Sequence, residues 1–230
     1  MASIYLIRHG QASFGAEDYD ALSELGMAQA RQLGKVLFER IGTPDIVLSG
    51  TMLRHQQTRD LALASGHIQI SSETQSLWNE YDHQAVLAAF EPRLKTAAGT
   101  RELLAQSDNP KTQFAGLFAQ AMARWQSGQY QDYPESWQAF KSRVKTASTS
   151  LLATLKQHQV AVVFTSGGPI SIIAQQLLGL SDDKMLSLNW TLTNCGLSKI
   201  VKTPNRVILA TLNEHSHFEK SDLRHMITYK

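Results

Sequence analysis

The chain has a single cysteine, Cys195, in 230 residues, so no disulfide can form within it. With no export signal at its start, a reducing cytoplasm is the expected setting. Cys195 lies among apolar neighbours and reads as a small core residue rather than a nucleophile. Long hydrophobic runs are also missing. The opening Ile4-Tyr5-Leu6-Ile7 meets Arg8 and His9 too soon to be a signal peptide or a membrane span, and no membrane association is expected. Neither sign of charge dominates: 22 Lys and Arg face 20 Asp and Glu, for a formal net charge of +2. The basic residues form no run, which excludes the concentrated patch that nucleic-acid binding needs. There are no internal repeats and no low-complexity segment. What remains is an ordinary globular composition, long enough for a single α/β domain over residues 1–230 that carries an insertion.

Ile4 to Ile7 is a short apolar run ending at polar residues and Gly10, as in a buried strand of a parallel sheet. A helix is predicted from about Gly26 to Ile41, where Met27, Ala30, Leu33, Leu37 and Ile41 recur at three- and four-residue steps. Gly42-Thr43-Pro44 stops it. Asp45 to Ser49 reads as a second strand, Thr51 to Ser65 as a helix, and Ile68-Gln69-Ile70 as a third strand. From about Asp82 to Tyr133 the grammar changes: there is no convincing strand, and helical stretches are broken at Glu91-Pro92, Asp108-Asn109-Pro110 and Gly128. This segment, with Phe90, Phe114, Phe118, Trp125, Tyr130 and Tyr133 as packing aromatics, is expected to be a helical cap insertion over residues 82–135. A long amphipathic helix follows, lined by Trp137, Phe140, Val144, Ala147, Leu151 and Leu155. Val160 to Thr165 is the strongest strand signal, running through Ser166-Gly167-Gly168-Pro169 into a buried helix. A hairpin of about Gly196–Val201 and Arg206–Leu212 comes last, and the tail from Asn213 is polar with little pattern. The expected architecture is a three-layer α/β/α sandwich with a mostly parallel sheet.

In such sheets, sites form beyond the carboxyl ends of the strands. Those ends carry Arg8-His9-Gly10, Ser49 to Arg54, Glu80, and Ser166-Gly167-Gly168. Arginine offers a planar fork of donors suited to phosphate. Neutral imidazole is a competent nucleophile when its far nitrogen is anchored. A helix N-terminus presents free N–H groups to an anion, and a nearby carboxylic acid can protonate a leaving oxygen. Any one of these residues alone has a bland reading: Arg54 as a solvated helix residue, Glu80 as surface charge, Gly167-Gly168-Pro169 as a tight helix start. Their shared sheet edge is what points to phosphoryl transfer.

These residues resemble the histidine phosphatase superfamily, also called phosphoglycerate mutase-like. Ile4-Tyr5-Leu6-Ile7-Arg8-His9-Gly10-Gln11 is similar to its first strand and Arg-His-Gly signature. Leu22-Ser23-Glu24-Leu25-Gly26 with Gln29-Ala30 looks like its first helix start. Leu48 to Thr58 resembles its Ser-Ser-x-x-x-Arg-x-x-x-Thr segment, and Leu77-Trp78-Asn79-Glu80 the stretch bearing its acid. The resemblance implies metal-independent, cofactor-free phosphohistidine chemistry: His9 as nucleophile, Arg8 and Arg54 clamping phosphoryl oxygens with Ser166 and Gly167, and Glu80 as acid. The substrate would be a small phosphorylated metabolite or a phosphorylated side chain.

The turn after the fourth strand departs from the family pattern, placing Ser166 where a second histidine is usual. Ser166 brings one neutral donor and no positive charge. His83, His215 and His217 are candidates to compensate, although exposed or structural roles suit them better. A weakly active or inactive phosphate-binding protein is the alternative to a phosphomonoester hydrolase. Phosphoglycerate mutase chemistry is disfavoured by Phe14-Gly15, where mutases carry Trp-Asn, and by Tyr81-Asp82-His83-Gln84 after Glu80.

Overall fold

The computed structural model describes residues 1–13, 20–105 and 107–229, and the chain divides into two compact units, 1–80 with 144–230, and 81–143. Phe14-Gly15 lies outside the described residues.

The first unit is built on a six-stranded sheet. Strand β1 spans Ala2–Arg8, β2 Ile46–Ser49, β3 Glu73–Thr74, β4 Val160–Thr165, β5 Leu197–Lys202 and β6 Val207–Glu214. Their order is β3-β2-β4-β1-β5-β6, with β1, β2, β3 and β4 parallel and β5 antiparallel to both of its neighbours, β1 and β6. The β-branched run of β4 is central and almost wholly buried, as its lack of alternation requires. The register sets Arg8 opposite Thr165, so the two strands end level with one another.

Helix α1 is Glu24–Ile41, capped by Ser23, whose Oγ accepts from Gly26 N at 3.0 Å. Its face of Ala30, Leu33 and Leu37 joins Ile7, Val47, Val162 and Phe164 in the core. Helix α2 is Leu53–Ser65. The glycine of Arg8-His9-Gly10 is sterically required: a Cβ on Gly10 would come within 2.5 Å of the Gly26 carbonyl in the first turn of α1. The third expected strand is corrected. Ile68 and Ile70 pack against the core without joining the sheet, and the paired residues are Glu73 and Thr74. Alternation alone marks which residues face inward, not which backbone groups find a partner.

The second unit is helical. It holds α3 (His83–Phe90), a 3-10 turn at Pro92–Lys95, α4 (Ala97–Leu104), α5 (Pro110–Gln126) and the start of α6 (Trp137–Thr154). The breaks fall at Glu91-Pro92 and Asn109-Pro110, where Glu91 and Asn109 act as helix caps. Its buried aromatic cluster joins Trp125 to Tyr81, Trp137 and Phe140 at centroid distances of 4.8, 5.0 and 5.9 Å. Of the six aromatics expected to pack in the insertion, only Trp125 is fully enclosed, and Tyr130 is exposed.

Past β4 the first unit continues as α7 (Gly167–Leu178) and α8 (Asp182–Thr191). The polar tail is not loose. Phe218 is completely buried, and Gln29 Nε2 donates to Met226 O at 2.7 Å and Thr228 Oγ1 at 2.8 Å. Among the described residues no helix is long and apolar enough to cross a membrane.

Candidate active site

His9 follows the last residue of β1 and continues its register, its N–H donating to Thr165 O at 2.9 Å. The next amide, Gly10 N, donates to Thr58 Oγ1 at 3.0 Å, and Thr58 in turn donates to Arg54 O at 2.6 Å. On the other side, Asn194 Nδ2 donates to His9 O at 3.0 Å. The main chain of Arg8-His9-Gly10 is therefore held from α2 and from the turn before β5. The His9 ring is buried, with Nδ1 2.7 Å from Gly10 O. A carbonyl can only accept, so Nδ1 carries the proton and Nε2 keeps its lone pair. Burial first, then the charges of Arg54 and Arg8 and the neighbouring His55, push this imidazole well below its ordinary value of 6.5. The Gly10 bond works the other way and is outweighed.

Arg54 is the second residue of α2. Its fork is buried, with Nη1 donating to Asp20 Oδ1 at 2.5 Å, while Asp20 Oδ2 accepts from Leu53 N at 2.7 Å. A carboxylate thus sits on a helix N-terminus and a guanidinium together, the donor set that suits a phosphoryl group. Arg8 Nη1 donates to the carbonyls of Leu192 and, at 3.1 Å, Tyr229. These bonds aim its side chain along the start of α7, where a Cβ on Gly167 would lie 3.7 Å from Arg8 Nε.

Glu80 follows β3 and a single 3-10 turn, Ser76–Trp78. Two bonds fix this stretch: Thr165 Oγ1 donates to Trp78 O at 2.5 Å, and Asn79 Oδ1 accepts from Thr51 N at 2.7 Å. Glu80 Oε2 then accepts from Gly168 N at 2.9 Å, at the first turn of α7. Gly167 itself is tightly enclosed, since an added Cβ would come within 2.2 Å of Asn189 Oδ1.

Ser166, the residue before α7, is fully buried, and its hydroxyl makes no capping bond to its own helix. It instead lies 2.6 Å from Nε2 of His55, which is also fully buried. The His55 and His9 ring centroids are 5.7 Å apart. Burial, then Arg54, lowers the His55 imidazole well below 6.5 as well, so both rings are neutral. His55 is the neighbour the sequence reading missed, although it directly follows Arg54. His83 opens α3 in the other unit. His215 Nδ1 donates to Asn213 O at 2.7 Å, and His217 stacks on Phe218 at 4.0 Å, lowered to about 4 mainly by burial. Among the described residues no group of three or more His, Cys, Asp or Glu could hold a metal ion.

The family model of the histidine phosphatase superfamily (branch 1) matches residues 4–88 and 84–215. The chain belongs to this superfamily. No curated protein sequence matches it. Among solved structures, it resembles a putative alpha-ribazole-5'-P phosphatase from Escherichia coli, with TM-score 0.64 and 22% identity over 93% of this chain and 98% of that one. A mycobacterial glucosyl-3-phosphoglycerate phosphatase in complex with inorganic phosphate has TM-score 0.63 and 18% identity over 94% of this chain and 98% of that one. Phosphoglycerate mutase from Bacillus anthracis has TM-score 0.63 and 18% identity over 94% of each chain. At these identities the likeness carries the superfamily fold, and the chemistry of this member rests on its own residues.

Proposed function

We propose that the protein is a phosphomonoester hydrolase working through a phosphohistidine on His9. The observation that carries this reading is the anchored ring: Nδ1 donates to Gly10 O at 2.7 Å, leaving Nε2 as a buried, neutral lone pair. Nε2 attacks phosphorus and the ester P–O bond breaks. Glu80 gives its proton to the leaving alkoxide. Arg8 and Arg54, with Ser166 and the Gly167 amide at the start of α7, hold the phosphoryl oxygens. Water then attacks phosphorus, Glu80 takes the water's proton back, the N–P bond breaks and phosphate departs. The bond from Gly168 N at 2.9 Å holds this carboxyl at the first turn of α7 for both steps. The substrate is a small phosphorylated metabolite or a phosphorylated side chain, which displaces Asp20 from Arg54 as it binds.

Asp20 on the Arg54 fork also supports a second reading, a phosphate-binding protein with little turnover. A panel of phosphate esters separates the two. The hydrolase reading expects turnover of at least one ester, lost by about 10⁴-fold or more in His9→Ala. It also expects an acid-labile phosphoenzyme that the variant does not form. Turnover in His9→Ala close to that of the parent rejects the nucleophile. Stabilisation by orthophosphate with no ester turned over favours the binding protein.

A further inference from the structure

We propose that His55 is a positioning residue for the phosphoryl site, holding the Ser166 hydroxyl so that its proton points at a phosphoryl oxygen. The inference rests on the reading of His9 as the phosphoryl acceptor and adds a residue to which the superfamily match assigns no role.

Three observations carry it. His55 Nε2 and Ser166 Oγ are 2.6 Å apart and both residues are sealed from water, where such a bond is strong and its direction fixed. The His55 ring lies 5.7 Å from that of His9, and His9 donates its backbone N–H to Thr165, the residue before Ser166. The hydroxyl is thus bonded to the ring that neighbours His9 and follows the residue that His9 bonds. Finally, Nδ1 of His55 is buried without a hydrogen-bond partner among the described residues and packs so closely on Gly50 that a Cβ there would lie 2.1 Å from it. A buried N–H without an acceptor is rarer and more costly than a bare lone pair, so the proton belongs on Nε2. Nε2–H then donates to Ser166 Oγ, and the hydroxyl proton turns away from His55. Among the described residues Ser166 Oγ makes no other hydrogen bond, so this proton is left for an acceptor that arrives with the substrate. No proton changes owner. The imidazole aligns the donor and polarises it as negative charge builds on the phosphoryl oxygens.

A double-mutant cycle tests this in the full-length protein, with Ser166→Ala, His55→Leu and the pair together. The readouts are kcat and KM for p-nitrophenyl phosphate and the orthophosphate dissociation constant from thermal stabilisation. Each single variant should lower kcat about 100-fold, as loss of one aligned donor does, and the pair should lose no more than about twofold beyond either. His55→Gln, whose amide N–H can replace that of Nε2, should stay within about fivefold of the parent. Independent losses that multiply to about 10⁴-fold, or a full kcat in His55→Leu, would overturn the proposal. Equal damage from Gln and Leu in proteins of unchanged melting temperature would do the same. Where His55→Leu does not fold, His55→Asn replaces it, its amide one methylene too short for Ser166. If the parent turns over no ester, the hydrolase reading fails on its own. The cycle is then read from orthophosphate affinity, where coupled losses sustain the His55 assignment and independent ones reject it.

Discussion

The ends of β1 and β4 lie level in neighbouring parallel strands, and each has an imidazole beside it, supplied by opposite means. At the end of β1 the imidazole belongs to His9, and the carbonyl of the next residue fixes its ring. At the end of β4 the chain offers only Ser166, and the imidazole arrives from α2, 111 residues away in sequence. A local device therefore sets the first end and a tertiary one the second. The backbone position that carries a functional group and the place where the group works are separable. A motif read along the chain detects only the first kind.

The comparison can be broken most forcefully by acid. Both ends hold a buried imidazole whose folded pKa is depressed below 6.5, chiefly by burial. The unfolded chain therefore binds more protons wherever the two states differ. The stabilising contribution is complete above pH 6.5 and is lost as pH falls below it. The protein should therefore be less stable at pH 5.5 than at pH 7.5, with both imidazoles contributing to the loss. Urea denaturation at pH 7.5 and 5.5 measures this, and His55→Leu should shrink the difference without abolishing it, since His9 and His217 remain. An unchanged difference would mean that the second end does not hold a neutral imidazole.

A swap gives a smaller effect. Ser166→His adds a ring where Ser166 and His55 are already fully enclosed, so overpacking should destabilise the fold by about 1–3 kcal/mol. Adding His55→Ala makes room and should recover most of that loss in a thermal melt. A Ser166→His protein as stable as the parent would show that the end of β4 is looser than the structure describes.

The smallest effect concerns Arg54, which lies in α2 beside the residue serving the second end. Its Asp20 partner is partly exposed, and such pairs are worth at most about 1 kcal/mol. Asp20→Asn should therefore tighten orthophosphate binding by up to about fivefold, measured calorimetrically. Weaker binding would show that Asp20 holds Arg54 in place rather than competing for it.

This contrast also explains what the sequence could convey. β1 with Arg8-His9-Gly10, the Ser23 cap of α1, the β4 run and the Pro-marked helix breaks are short-range signals, and they are legible because the forces behind them act within a few residues. Ile68 and Ile70 were misleading because inward-facing alternation is shared by strands and by loops packed on a core. His55 was visible as a residue but not as a neighbour of Ser166, since that depends on how α2 is rotated against β4. The C-terminal anchors of Arg8 were invisible for the same reason. A polar tail carries no periodicity, although Phe218 and Thr228 tie it down.

Those anchors set an order of events during synthesis. Arg8 is synthesised well before the carbonyls that hold its guanidinium, which follow 184 and 221 residues later. β1 itself pairs only with β4 and β5, both from the last third of the chain. At about 5–20 residues per second, the strand that carries His9 waits on the order of ten seconds or more for its neighbours. Until then its apolar edge is open, and pairings this distant in sequence form slowly. The emerging polypeptide thus carries an unpaired apolar strand until its last third has been made.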